Sequence, residues 1–193
     1  MLDRRLIISW VRLTWLGWLL GVPLVVVLAL VAEAVGVGGV QAIVGAGMGI
    51  GVGLMQGRLI RRLLDRSAAW LCSCAVGLGA PFMLTDVSKA AGWDIPYSLL
   101  ASIALGGLVV GVWQSLILRS RLRRTGWWVV GSALGWTLAA STSSIAESLQ
   151  RSQSLRGLWG ALAYLGIVAA GGLVLGAVTG ICLAWMFRHE PAT

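Results

Sequence analysis

Two glutamines and a threonine stand inside apolar stretches at comparable places. Gln56 lies in GLMQGRLIRRLL (53–64), Gln114 in GVWQSLILRSRL (111–122) and Thr179 in GAVTGICLAW (176–185). A side-chain amide in hydrocarbon must find hydrogen-bond partners, because leaving it unpaired costs several kcal/mol, roughly 2–7 depending on the reference state. Two kinds of chemistry follow: glue between helices, or a polar level that contacts a ligand or solute. Each polar residue follows two glycines, Gly49 and Gly53, Gly107 and Gly111, Gly172 and Gly176. Residues three and four apart share one helix face. Small residues on such a face let two backbones approach, which is how helices associate in lipid. The expected arrangement packs the second, fourth and sixth helices together, with Gln56, Gln114 and Thr179 at one depth and the odd helices outside.

A second set of candidates is acidic. Glu33, Asp86 and Glu147 each fall near the far end of an odd-numbered apolar run. Under threefold packing they form an outer acidic ring attractive to cations. The competing reading is ordinary surface pairing, Asp86 with Lys89 and Glu147 with Arg151. Catalysis finds little to work with. The single histidine, His189, is in the C-terminal tail, so neither a serine–histidine pair within the spans nor an H-E-x-x-H site can form. No acid or lysine lies deep in a span, which removes the usual proton relay. Cys72, Cys74 and Cys182 lack metal or redox spacing and read as small apolar fillers. The chain is expected not to be an enzyme and to hold no metal; bound lipid or pigment stays open.

The elements that must position these residues are long and apolar. Among 193 residues 58% are hydrophobic and 11% charged, with mean hydropathy +0.88, so a bilayer is the expected solvent. Runs between charges span 13–32, 34–57, 67–85, 95–118, 125–146 and 157–187, the fourth beginning after Asp94. Each reaches the roughly 17–25 residues that cross hydrocarbon as a helix. The expected fold is all-α and polytopic, one integral membrane domain of six transmembrane helices. Arg4, Arg5, Arg12, Arg58, Arg61, Arg62, Arg66, Arg119, Arg121, Arg123, Arg124 and Arg188 all fall on one side of that topology. The positive-inside rule puts both termini in the cytoplasm. It also explains the net charge of +8 without a nucleic-acid partner. Arg4–Arg5, an apolar run and Ala32-Glu33-Ala34 imitate a secretion signal. That run is longer than a usual signal core, and its removal would leave an odd number of helices. A retained first helix is expected.

Residues 53–77 align on 111–135 without a gap, pairing Gln56 with Gln114 and Trp70 with Trp128. The same offset brings Gly21-Val22-Pro23 onto Gly79-Ala80-Pro81, and GLVLGAVTGICL (172–183) resembles GLVVGVWQSLIL (107–118). Three helical hairpins result, approximately 1–65, 66–123 and 124–188, related by an axis along the membrane normal. Most of the eleven tryptophans, Trp10, Trp70 and Trp128 among them, fall near the arginines or the opposite end. An aromatic belt at the headgroups is the expected role, with Trp18 and Trp136 deeper.

The segment G-x-x-x-G-x-x-Q-x-x-L-x-x-R, leading into G-W-W-x-x-x-x-x-L-G-W at Gly126–Trp136, resembles that of small bacterial multi-span membrane proteins of unassigned activity. The resemblance covers the second to fifth helices best. It implies a bacterial cytoplasmic (inner) membrane or internal membrane, and transfers no functional residue. Size and helix count also invite comparison with the substrate-binding subunits of energy-coupling-factor vitamin transporters, by architecture alone. Two function classes follow. One is a non-catalytic accessory, assembly or scaffold subunit of a membrane complex, whose partners are the lipid bilayer and other membrane subunits or further copies. The other is a transporter or channel, or a transporter's binding subunit, for a small neutral or apolar solute.

Overall fold

The computed structural model describes residues 2–93, 99–152 and 156–189. Asp94, which bounds the fourth apolar run, lies outside them. Six α-helices account for nearly all of the described residues: α1 (Leu2–Ala34), α2 (Ala42–Leu64), α3 (Ser67–Ala90), α4 (Leu99–Leu118), α5 (Gly126–Arg151) and α6 (Gly157–Arg188). Five of them, all but α5, are long and apolar enough to cross a membrane. In α5 the hydroxyls of Thr137, Ser141, Thr142 and Ser144 lower the hydropathy of the second half. Each bonds back to a carbonyl of its own helix, on Ala133, Thr137, Ala139 and Ala140, so the polarity is internally compensated.

The helix limits differ from the apolar runs where backbone chemistry intervenes. The run 34–57 gives a helix that starts only at Ala42, because α1 ends in a glycine-rich turn. Gly36 adopts φ 78°, and the amides of Gly36 and Val37 donate to the carbonyls of Glu33 and Ala32. Gly92, with φ 75°, ends α3 through the corresponding bonds to Lys89 and, from Trp93, to Ser88. A side chain there would meet the left-handed penalty that glycine avoids. At the other end α2 continues through Arg58, Arg61 and Arg62, past the last residue of its apolar run.

The helices form a closed ring in chain order. Each packs on its sequence neighbours, α6 closes on α1, and α2 meets α4 only marginally. Among the described residues no Cα of α6 comes within 8 Å of one in α2 or α4, so the expected inner bundle of even helices is not what forms. The reason lies in side-chain size. The glycine faces of the even helices take up the backbones of their odd neighbours, and the bulky residues of the odd helices fill the centre. No Cα of α1, α3 or α5 comes within 8 Å of another of those three helices among the described residues, yet their indoles meet on the axis.

Candidate functional site

Trp10 of α1, Trp70 of α3 and Trp128 of α5 are fully or almost fully buried, and all three pairs are in ring contact. Centroids lie 5.9 Å apart for Trp10–Trp70, 5.8 Å for Trp10–Trp128 and 5.5 Å for Trp70–Trp128. The first two pairs are edge-on, a favourable arrangement of ring quadrupoles. Each indole N–H donates outward to an even helix. Trp70 Nε1 donates to Gln56 Oε1 at 3.0 Å, Trp128 Nε1 to Gln114 Oε1 at 2.9 Å and Trp10 Nε1 to Thr179 Oγ1 at 2.9 Å. The three polar residues singled out in the sequence therefore surround one aromatic cluster at one level.

They do not satisfy one another, as an even-helix bundle required. Gln56 Nε2 donates to Thr14 Oγ1 at 2.9 Å and Gln114 Nε2 to Cys74 Sγ at 3.1 Å, so each amide ties two odd helices together. Thr14 and Cys74 stand four residues beyond Trp10 and Trp70, and Ser132 holds that place beyond Trp128. The third repeat of the pattern stops short. A threonine has no second arm, so Thr179 donates to its own Leu175 carbonyl and Ser132 turns to the Gly107 carbonyl. Among the described residues no buried side-chain nitrogen or oxygen lacks a partner.

The glycines set the spacing. A Cβ on Gly53 would meet Leu71 and Cys74, one on Gly111 Val129 and Ser132, and one on Gly176 Val11 and Thr14. These neighbours are the residues one and four beyond the central tryptophan of the adjoining odd helix. Gly49, Gly107 and Gly172 repeat this one turn further along, against Cys74 and Ala75, Ser132 and Trp136, and Trp15 and Trp18. The odd helices consequently share a string that the sequence reading did not isolate: WVRLTWLGW (10–18), WLCSCAVGL (70–78) and WVVGSALGW (128–136). On this register Trp10 pairs with Trp70, two residues away from the offset that aligned Pro23 with Pro81. Those prolines are not equivalent in height.

Below the triad a second layer holds Trp18, Leu78 and Trp136, all buried, with the Trp18 and Trp136 centroids 6.1 Å apart. Trp18 Nε1 donates to the Val168 carbonyl at 2.9 Å and Trp15 Nε1 to that of Ala169 at 3.2 Å. A cavity of about 30 Å³ remains beside Leu78, Phe82, Met48 and Ile103, walled by apolar atoms. The belt reading thus fails for Trp10, Trp70 and Trp128, whose N–H groups are spent inside the bundle. It fits Trp93 and Trp159, which are 67% and 81% exposed.

The acids have separate occupations. Asp86 receives the amides of Gln41 and Ala42 on Oδ1 and Oδ2 at 3.0 and 2.9 Å, capping α2 from α3 and matching its positive N-terminal end. Glu147 lies 4.0 Å from Arg151, and exposed Glu33 lies beside Gly38 at the end of α1. Measured from the tryptophan of the same helix, their heights differ by up to seven residues, about 10 Å along a helix axis. That spread argues against one ring. His189 bonds the Trp185 carbonyl through Nδ1 at 2.9 Å and stacks on that indole.

A double-mutant cycle tests the amide bonds. Gln56→Leu should cost about 1–2 kcal/mol, because the buried Trp70 N–H loses its acceptor. Trp70→Phe keeps a ring in place and removes the donor, so adding it to Gln56→Leu should recover part of that loss. Equilibrium unfolding in mixed micelles reads both; strictly additive losses would mean that the bond is not formed.

The arrangement defines an all-α bundle with five membrane-length apolar helices and an aromatic, hydrogen-bonded axis. No family model matches the chain, and neither the curated proteins nor the solved structures give a match.

Proposed function

We propose that the chain is a non-catalytic membrane subunit, an accessory, assembly or scaffold component. In this reading it is one integral domain of three hairpins, crossing the bilayer six times with the arginine-rich end and both termini in the cytoplasm. The observation that carries the reading is the state of the axis. Where a solute would pass stand Trp10, Trp70 and Trp128, and their donors are taken up by Gln56, Gln114 and Thr179. Groups already paired in this way serve to fix helix positions, and little is left over for a substrate. The outer face is rich in exposed Leu, Val and Ile, suited to lipid or to other membrane subunits. At 26 residues α5 spans about 39 Å, ample for hydrocarbon once its hydroxyls are bonded internally.

Affinity purification from the native host in a gentle detergent is expected to recover stoichiometric membrane partners or a defined homo-oligomer. The competing transporter reading expects the purified chain alone to pass a small neutral solute in liposomes, with flux lost in Gln56→Leu/Gln114→Leu. That outcome would displace the scaffold reading.

A further inference from the structure

The arginine-bearing end carries a groove of about 290 Å³ between α1 and α2, lined by Arg12, Leu13 and Leu16 on one side and Arg58, Leu59 and Arg62 on the other. The bond from Gln56 Nε2 to Thr14 Oγ1 fixes residues 14 and 56 at one height on these successive, oppositely running helices. Arg12 and Arg58 are then each two residues further toward the same end, across the groove from one another. No carboxylate lines the groove, and none is paired with any of the three guanidinium groups among the described residues. Arg58 Nη1 donates to the Leu54 carbonyl at 3.4 Å and to Met55 Sδ, neither of which offsets its charge. Arg12 and Arg58 thus stand over Leu13 and Leu16, which descend toward the apolar middle of the helices, while Leu59 lies between the levels of Arg58 and Arg62.

We infer that this groove binds one anionic glycerophospholipid, its phosphate among Arg12, Arg58 and Arg62 and an acyl chain running inward along Leu13 and Leu16. Charge and shape select this occupant together. Guanidinium groups present forked donors that match phosphate oxygens. A free phosphate would leave Leu13 and Leu16 uncovered, and a zwitterionic headgroup would bring its own cation into the cluster. Basic recesses between membrane helices on the cytoplasmic side are where anionic headgroups bind. The inference rests on the proposed membrane orientation, with the arginines at headgroup level.

The test uses the full chain in nanodiscs of phosphatidylglycerol and phosphatidylcholine, with bound lipid counted by native mass spectrometry. Wild type should retain one phosphatidylglycerol in preference to phosphatidylcholine. The preference should fall about fivefold for each of Arg12→Gln, Arg58→Gln and Arg62→Gln. Arg119→Gln/Arg121→Gln, exposed at the same end but outside the groove, should leave it within about twofold, a change too small for a lost charge contact. A phosphatidylglycerol with a photoreactive acyl chain should label, on the unaltered protein, the peptide holding Leu13 and Leu16. An unchanged preference in the triple variant, labelling confined to other helices, or displacement of the lipid by inorganic phosphate alone would each overturn the assignment. Co-elution with nanodiscs of phosphatidylcholine alone separates the two readings: a protein that never enters the discs defeats the membrane-spanning reading, whereas one that enters but does not select phosphatidylglycerol in the mixed discs defeats only this site.

Discussion

Trp70→Ala should lower stability by about 3–5 kcal/mol. Trp70 is fully buried and touches both other members of the triad. Within a bilayer the lost term is packing rather than escape from water, because lipid is as apolar as the core. Helices α1, α3 and α5 are held apart by the ring and meet through these indoles and, in the next layer, through Trp18 and Trp136, so the space cannot collapse cheaply. The substitution also strips Gln56 Oε1 of its donor. Trp128→Ala should behave alike, leaving Gln114 Oε1 unpaired. Trp159→Ala is the control, at a site 81% exposed, and should stay within about 0.5 kcal/mol. Titration of the micelle-bound protein with SDS, followed by circular dichroism, ranks the three. A Trp70→Ala midpoint no lower than that of Trp159→Ala would mean that the triad does not organise the fold.

The elements and the polar level were readable from the sequence because both depend on local spacing. Apolar runs of membrane length, bounded by charged residues, announced helices near those observed, and the G-x-x-x-G-x-x-Q string put Gln56 and Gln114 at one depth. Partnership was not readable in the same way. A glycine face says that something packs closely, without saying what. Assigning the faces of α2, α4 and α6 to one another ignored the volume of the odd helices, whose tryptophans need the centre. The missed signal was present in the chain. A tryptophan follows Gln56 and Gln114 alike by 14 residues, and the string W-x-x-x-[T,C,S]-x-x-G-[W,L] occurs in all three odd helices. The arginines beside Trp10, Trp70 and Trp128 drew those residues into the headgroup belt, since proximity to charge in sequence does not say which way a helical residue faces. Helix α2 likewise starts later than its apolar run because the turn at Gly36 is a backbone property that hydropathy does not register.

Alanine at the glycines of α2 should produce a graded series rather than a uniform effect. In GAGMGIGVG (45–53) every second residue is glycine, so small positions fall on both sides of the helix. Gly45, Gly49 and Gly53 face α3, against Leu78, Cys74 and Leu71, while Gly47 and Gly51 face α1, against Val25, Gly17 and Gly21. The helix is a thin wall between two neighbours. A Cβ on Gly49 would press on the Cys74 carbonyl and stand 2.8 Å from Ala75 Cα; one on Gly51 would stand 2.5 Å from the Gly17 carbonyl and 2.6 Å from the Gly21 nitrogen. Backbone cannot rotate aside as a side chain can, so Gly49→Ala and Gly51→Ala should each cost about 1–3 kcal/mol. Gly57→Ala, two turns nearer the arginines than Gly49, meets nothing nearer than 3.6 Å, and Gly166→Ala in α6 meets nothing within 4 Å. There the gain in helix propensity should prevail, leaving stability unchanged or raised by up to about 1 kcal/mol. The sign of the difference decides the cause. If glycine served only to loosen the helices, alanine would stabilise all four positions alike; opposite signs at Gly49 and Gly57 require a neighbouring backbone at the first and open space at the second.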